Sequence, residues 1–212
     1  MSKRIIFIGD SITESGRKED PEKIGIGYVR ILHDYLKITY PAKHLTIVNQ
    51  GVGGNRITDL ASRWETDVIA LNPDIVSVSI GINDVWRQLD RKEMEQVYPE
   101  QFEQVYHDLL SEVKAKTNAT IILMEPTVIE ENIHSEGNTK LIPYVNIVQR
   151  LAKEFQTIVV PTHKAFIDYL QTANEYKLTT DGVHMNSGGN MLMAMSWLKE
   201  AKNLLDRELG KV

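Results

Sequence analysis

Short runs of β-branched and aliphatic residues alternate along the chain with stretches whose apolar positions recur every three to four residues. The apolar runs predict strands at Arg4–Gly9, Leu45–Asn49, Asp74–Gly81, Thr120–Glu125 and Thr157–Val160. They are rich in Ile and Val with little polar alternation, the pattern of strands covered on both faces. Between them, Tyr28, Ile31, Leu32, Tyr35 and Leu36 follow the i, i+3, i+4, i+7, i+8 spacing of a helix face. Leu60, Trp64, Val68 and Leu71 do the same, as do Phe102, Val105, Tyr106, Leu109, Leu110 and Val113. A fourth stripe is Tyr144, Ile147, Val148, Leu151, Ala152 and Phe155, and a shorter one is Phe166, Tyr169 and Leu170. The last helix is expected from about Ser187, its N-cap, with Met191, Met195, Leu198 and Leu205 inward and Met193 on the same core face.

Strands alternating with helices predict an α/β fold, a parallel sheet with helices on both faces, because right-handed crossovers cover both sides. Three longer segments lack a period: Glu14–Gly27, Ile82–Pro99 and Pro126–Pro143. Each follows a strand, where the loops of open α/β sheets build ligand sites. No linker, low-complexity stretch or internal repeat interrupts the pattern, so residues 1–212 are expected to form a single domain.

Composition narrows the chemistry. The 212 residues are 42% hydrophobic and 25% charged, ordinary for a globular protein, and none is Cys. That removes disulfides, thiolate nucleophiles and cysteine-based metal sites, so any covalent catalyst must use oxygen or nitrogen. The net charge of −5 and the lack of a basic stripe argue against a nucleic-acid partner. The longest clean apolar runs, Ile5–Ile8 and Ile121–Met124, fall far short of the roughly 20 residues needed to span a bilayer, so no membrane partner is expected. The run after Lys3 and Arg4 is too short for a signal-peptide core and meets Gly9-Asp10, so a cytoplasmic location is expected. A homo-oligomer is compatible with the sequence, which carries no clear mark of an interface.

Candidate chemistry gathers at strand ends, in Gly9-Asp10-Ser11, Gly51-Val52-Gly53-Gly54-Asn55 and Gly81-Ile82-Asn83-Asp84, with Asp181-Gly182-Val183-His184 before the final helix. Ser11 follows a buried strand and a tight Gly-Asp turn, a place for either a nucleophile or a capping serine. A serine nucleophile needs a base, and the base an acceptor that fixes its tautomer. Asp181 stands three residues before His184 and can meet Nδ1, leaving Nε2 for the serine; the same pair also reads as a polar turn. Attack on an ester creates an oxyanion, for which the Gly54 backbone and the Asn83 amide are suitable donors. The alternatives there are a flexible glycine loop and an Asx-turn. A dinucleotide loop is disfavoured, since a third glycine is missing and the motif follows the second strand. The chain also lacks G-x-S-x-G, H-E-x-x-H and the G-x-x-x-x-G-K-[ST] loop.

In this order, the four segments resemble the signature blocks of the SGNH hydrolases of the GDSL esterase/lipase superfamily, from Gly9-Asp10-Ser11-Ile12-Thr13 to Asp181-Gly182-Val183-His184. The resemblance implies a three-layer α/β/α sandwich with a flavodoxin-like, five-stranded parallel sheet and a serine-esterase mechanism. It implies Ser11 as nucleophile, His184 as general base and Asp181 as its orienting acid. The Ser11 N–H, the Gly54 N–H and the Asn83 side chain would form the oxyanion hole, with no metal or organic cofactor. Gly81-Ile82-Asn83-Asp84-Val85-Trp86-Arg87, Ala61-x-Arg63-Trp64-Glu65 and Ala165-Phe166 are similar to bacterial acetyl-xylan esterases, which act on acetylated xylo-oligosaccharides. Met185 departs from the family, which commonly has proline after the histidine; that removes one restraint on the loop.

The expected partner is a small-molecule ester. Trp86 reads as a substrate-binding wall or a packed loop anchor. His134 is a weaker candidate for substrate contact, His163 is expected to bond locally, and His33 to be solvated. A lysophospholipase or thioesterase would need a long apolar channel, whereas Arg87–Lys92 and Glu130–Asn132 are polar and charged. A non-catalytic carbohydrate-binding protein on the same fold is the remaining alternative, disfavoured by the intact Ser, His, Asp and Asn.

Overall fold

A computed structural model describes residues 2–172 and 175–210. Five strands form one all-parallel sheet: β1 (Lys3–Gly9), β2 (Leu45–Gly51), β3 (Ile75–Ser79), β4 (Thr120–Met124) and β5 (Ile158–Val160). Their order is β2-β1-β3-β4-β5, the flavodoxin-like arrangement. The chain steps from β1 outward to β2, then crosses to β3 on the other side of β1. The switch point therefore lies at the carboxyl end of β1, where Ser11 begins.

The register levels this edge. Gly9 pairs with Gly51 on one side and Ser79 on the other, Ser79 with Met124, and Met124 with Val160. Segments as far apart as Ser11 and His184, 173 positions, can therefore meet above one line of strand ends.

The helices are α1 (Ser11–Glu14), α2 (Tyr28–Thr39), α3 (Ile57–Trp64), α4 (Ile82–Asp90), α5 (Pro99–Lys116), α6 (Glu136–Glu154), α7 (Thr162–Leu170) and α8 (Ser187–Leu209). A single π-helical turn, Glu65–Ile69, continues α3. One layer places α8 beside α2 and α7; the other packs α5 beside α3 and α6. The sheet is sealed on the first side by Trp197, whose ring lies 5.5 Å from Phe7 and whose indole N–H donates to Ser77 Oγ at 3.0 Å. On the second side Phe102 sits edge-on to Tyr144 at 5.0 Å, and Trp64 donates to the Leu109 carbonyl at 3.1 Å.

The structure corrects several boundaries. Ile82–Asp90 is helix α4, not loop: Ile82, Val85, Trp86 and Leu89 keep the helical spacing, and all are wholly or partly buried. Helix α6 starts at Glu136, inside the segment expected to lack a period, because Ser135 caps it by accepting from the Asn138 N–H at 3.1 Å. Pro143 lies within α6 on its exposed face, where water can meet the carbonyl that loses its donor. Asn186, not Ser187, caps α8, accepting from the Gly189 N–H at 3.0 Å. Met193 is buried, but Met191 and Met195 are 47% and 60% exposed. Leu205 is buried and Leu198 packs against the core, as expected; with them inward are Asn190, Met193, Ala194, Trp197, Ala201 and Leu204, whose small alanines let α8 lie close around the large indole.

Candidate active site

Ser11 is held by sharp local geometry. Asp10, the N-cap of α1, accepts from the Ile12 N–H at 2.9 Å. Ser15 ends the helix in the left-handed region, with its N–H on the Ser11 carbonyl at 2.9 Å. The turn is pressed onto the strand ends. A Cβ on Gly9 would stand 2.2 Å from the Ser79 carbonyl oxygen, and one on Gly51 would stand 2.1 Å from the Glu14 nitrogen. Only glycine permits such backbone approach.

The second component arrives from the far end of the chain. Ser11 Oγ lies 2.9 Å from His184 Nε2, and His184 Nδ1 lies 2.7 Å from Asp181 Oδ2. A carboxylate at Nδ1 fixes the proton there and leaves the Nε2 lone pair facing the serine hydroxyl. The other Asp181 oxygen accepts from the N–H groups of Val183 and His184 at 3.0 and 2.8 Å. Burial raises the Asp181 pKa, but the hydrogen bonds from His184 and Val183 outweigh it and hold the group below the usual range.

The turn carrying His184 is well anchored despite Met185. Thr180 N–H donates to the His184 carbonyl at 2.8 Å and Asn186 N–H to the Leu178 carbonyl at 3.0 Å, pairing Thr179 with Met185. That bridge makes no use of the Met185 N–H, so the restraint a proline would give is supplied from outside. Glu131 Oε1 adds three bonds, from Leu178 N, Thr179 N and Thr179 Oγ1, at 2.9, 2.8 and 2.6 Å. Glu130 N–H donates to the Gly182 carbonyl at 2.7 Å.

The third component is the loop after β2. It begins with Val52 N–H on the Gly9 carbonyl at 3.1 Å. It passes over the serine, so a Cβ on Gly53 would lie 3.9 Å from Ser11 Cβ. Gly54 has φ +81° with open space around it, so the left-handed backbone alone calls for glycine there. Buried Asn83, in the first turn of α4, donates from Nδ2 to the Asn55 carbonyl at 3.1 Å and accepts from Arg87 Nη2 at 3.2 Å. Trp86 stands edge-on to His184, ring centres 5.8 Å apart, with the Arg87 guanidinium 4.4 Å over its face.

Three further residues, to which the sequence reading gave no role of their own, support this arrangement. Arg63 donates to Asn55 Oδ1 at 2.7 Å, to the Gln50 and Gly9 carbonyls at 2.8 and 2.9 Å, and to Asp67 at 2.6 Å, tying the ends of β1 and β2 to the glycine loop. Asp84, fully buried, accepts from the Ile57 N–H at 3.0 Å through Oδ1, while Oδ2 has no partner. Burial, with a push from the Asp10 charge, raises its pKa to about 7. Burial also raises Asp10 to about 7, against the pull of the Ile12 N–H and the neighbouring His184 and Arg63. Glu131 is the third.

A cleft of about 250 Å³ opens beside Ser11 and His184, walled by Glu14, Ser15, Met185 and Asn190. His134 is not in it. It lines a different cleft of about 490 Å³ with His163, away from Ser11. His163 does not bond locally: its buried Nδ1 reaches the Thr127 carbonyl at 2.6 Å, 36 residues away. His33 is only partly exposed and pairs with Asp34. Among the described residues, no helix is long and apolar enough to cross a membrane, and no group of three His, Asp or Glu side chains could hold a metal.

The sheet order, the Ser11–His184–Asp181 geometry and the sequence agree on a class. The chain belongs to the GDSL-like lipase/acylhydrolase family, whose model matches residues 7–192, and it is a carboxylic ester hydrolase. A curated acetylxylan esterase from Geobacillus stearothermophilus is 39% identical over 206 residues, 93% of each chain. Among solved structures, a mutant of an acetyl-xylooligosaccharide esterase from Geobacillus has 37% identity and a TM-score of 0.87, over 94% of this chain and 95% of that one. An α/β hydrolase from the metagenome of Lake Arreo, Spain, has 34% identity and a TM-score of 0.88, over 96% and 98%.

Proposed function

We propose that the chain, acting as one domain, removes acetyl groups from small acetylated carbohydrates such as acetylated xylo-oligosaccharides, through an acyl-enzyme on Ser11. The observation that carries this reading is the continuous line from Ser11 Oγ through His184 to Asp181, at 2.9 and 2.7 Å. Ser11 Oγ attacks the ester carbonyl while its proton passes to His184 Nε2. Asp181 holds the Nδ1 proton and steadies the imidazolium. The tetrahedral oxyanion is bound by the N–H groups of Ser11 and Gly54 and the Asn83 amide. The adduct collapses, His184 protonates the departing alcohol, and acetyl-Ser11 remains. Water, deprotonated by His184, then attacks; acetate leaves and Ser11 regains its proton. Every proton in this cycle moves between substrate, water, Ser11 and His184.

The substrate class draws support from the activities of the relatives and from the cleft. Its modest volume and its polar walls at Glu14, Ser15 and Asn190 suit a short acyl group and a sugar alcohol better than a long lipid chain. Trp86 beside His184 offers a flat wall for a sugar or for the acetyl methyl. We place the activity in the cytoplasm, where its substrates would be small imported esters rather than polymers.

A chain-length series of p-nitrophenyl esters tests the acyl preference: acetate is expected well above octanoate, and the reverse order refutes it. Asn83→Ala should lower kcat about 10²–10³-fold, the cost of one oxyanion donor. Ser11→Ala should abolish both turnover and organophosphate labelling, and labelling that persists on another serine refutes the nucleophile.

A further inference from the structure

We infer that Arg87 is a positioning residue for the Asn83 amide, a role that rests on the oxyanion function proposed for Asn83. A carboxamide is nearly symmetric in shape, so only its surroundings decide which end presents N–H groups. Two neighbours sort the ends of this one. The Arg87 guanidinium donates to Oδ1 at 3.2 Å, and the Asn55 carbonyl accepts from Nδ2 at 3.1 Å. In the reversed orientation the amide NH2 would face a cation and the amide oxygen would face a carbonyl, both repulsive. The observed orientation leaves the second Nδ2 hydrogen free for substrate. A cation on Oδ1 also draws electron density from the amide and strengthens Nδ2 as a donor.

Arg87 is itself fixed. It lies one helical turn after Asn83 on α4, the spacing at which side chains on one helix meet. Its guanidinium stacks on Trp86 at 4.4 Å and pairs with Asp90. A shorter or more mobile cation would meet Oδ1 without this pre-organisation. A rival role is open to the same side chain: it could matter only by bracing Trp86, and through Trp86 the His184 ring.

A double-mutant cycle separates the two. Arg87→Met keeps an apolar stem over Trp86 and removes the charge. It should lower kcat for p-nitrophenyl acetate about tenfold, the scale of one hydrogen bond to a charged group, with KM little changed. In an Asn83→Ala background the same substitution should cost less than twofold, because its target is gone. Arg87→Lys, tested alongside in case Arg87→Met does not fold, should lose less than Arg87→Met but more than twofold, and again only when Asn83 is present. Equal losses in both backgrounds would overturn the inference and assign Arg87 to Trp86; no loss from either variant would overturn it outright. If Asn83→Ala alone left turnover at the wild-type level, the oxyanion role itself would fail, a separate outcome read from the parent variant.

Discussion

Asp84 is a carboxyl sealed in the protein with one oxygen satisfied and the other facing nothing. Its pKa stands at about 7 instead of 3.8 because burial penalises the ionised form. Between these values the folded protein binds more protons than the unfolded chain, so stability must fall as pH rises from about 4 to about 7. A shift of about three units corresponds to about 4 kcal/mol at 1.36 kcal/mol per unit. Asp84→Asn keeps an acceptor for the Ile57 N–H and cannot ionise. It places an NH2 where Oδ2 had no partner, a penalty of about 1–3 kcal/mol that does not depend on pH. The variant should therefore be more stable than wild type by about 1–3 kcal/mol at pH 8.5 and less stable by a similar amount near pH 4. Urea unfolding of both proteins at several pH values measures the difference, with the m-values checked for equality. A difference that stays constant from pH 4 to 8.5, or that grows more favourable to the variant on acidification, refutes the reasoning.

Arg63→Ala leaves the Gly9 and Gln50 carbonyls and the Asn55 amide without their donor, and should cost about 3 kcal/mol in urea unfolding. That corresponds to a lowering of Tm by about 6–12 °C for a chain of this size; a loss under 1 kcal/mol would mean that water replaces the clamp. Glu131→Gln tests the opposite pH behaviour. Burial pushes the Glu131 carboxyl up, but bonds from Thr179 and Leu178 and the nearby Lys177 charge bring its pKa below 4.5. Its contribution is present above pH 4.5 and is lost as pH falls through the depressed folded value. The stability gap between wild type and Glu131→Gln should thus be flat above about pH 5.5 and shrink on acidification; a gap that widens in acid refutes this.

The features legible in the sequence were those written in consecutive residues. The five strands announce themselves as Ile and Val runs, and the segments at Ser11, Gly54, Asn83 and His184 each follow a turn signal. The structure brings Ser11, Asp181 and His184 into one hydrogen-bonded line and lays the Gly53-Gly54 loop over the serine. Helix α4 was hidden because its apolar residues lie among Asn83, Asp84, Arg87 and Asp90, so the segment reads as a polar loop. On α8, Met193 and Leu205 face inward as their spacing suggests, but Met191 and Met195 are as apolar as the residues that do face the sheet, and only the fit of Trp197 against Phe7 decides. Arg63, Glu131 and the long bond of His163 act on partners that folding brings close, several of them backbone carbonyls or N–H groups. No residue type in a sequence marks such a partner.

Trp197 covering Phe7 has a consequence for how the molecule is made. The strand carrying Phe7 is synthesised long before the helix carrying Trp197. Ser11 and His184, 173 positions apart, are joined by the same closure. Contacts between such distant parts of a chain form slowly, since a long loop must close before they contribute anything. Until α8 emerges, Phe7 on β1 lacks its Trp197 cover, and Ser11 lacks its contact with His184. A growing chain therefore exposes this apolar surface until α8 docks, and the same step that covers Phe7 brings His184 to Ser11.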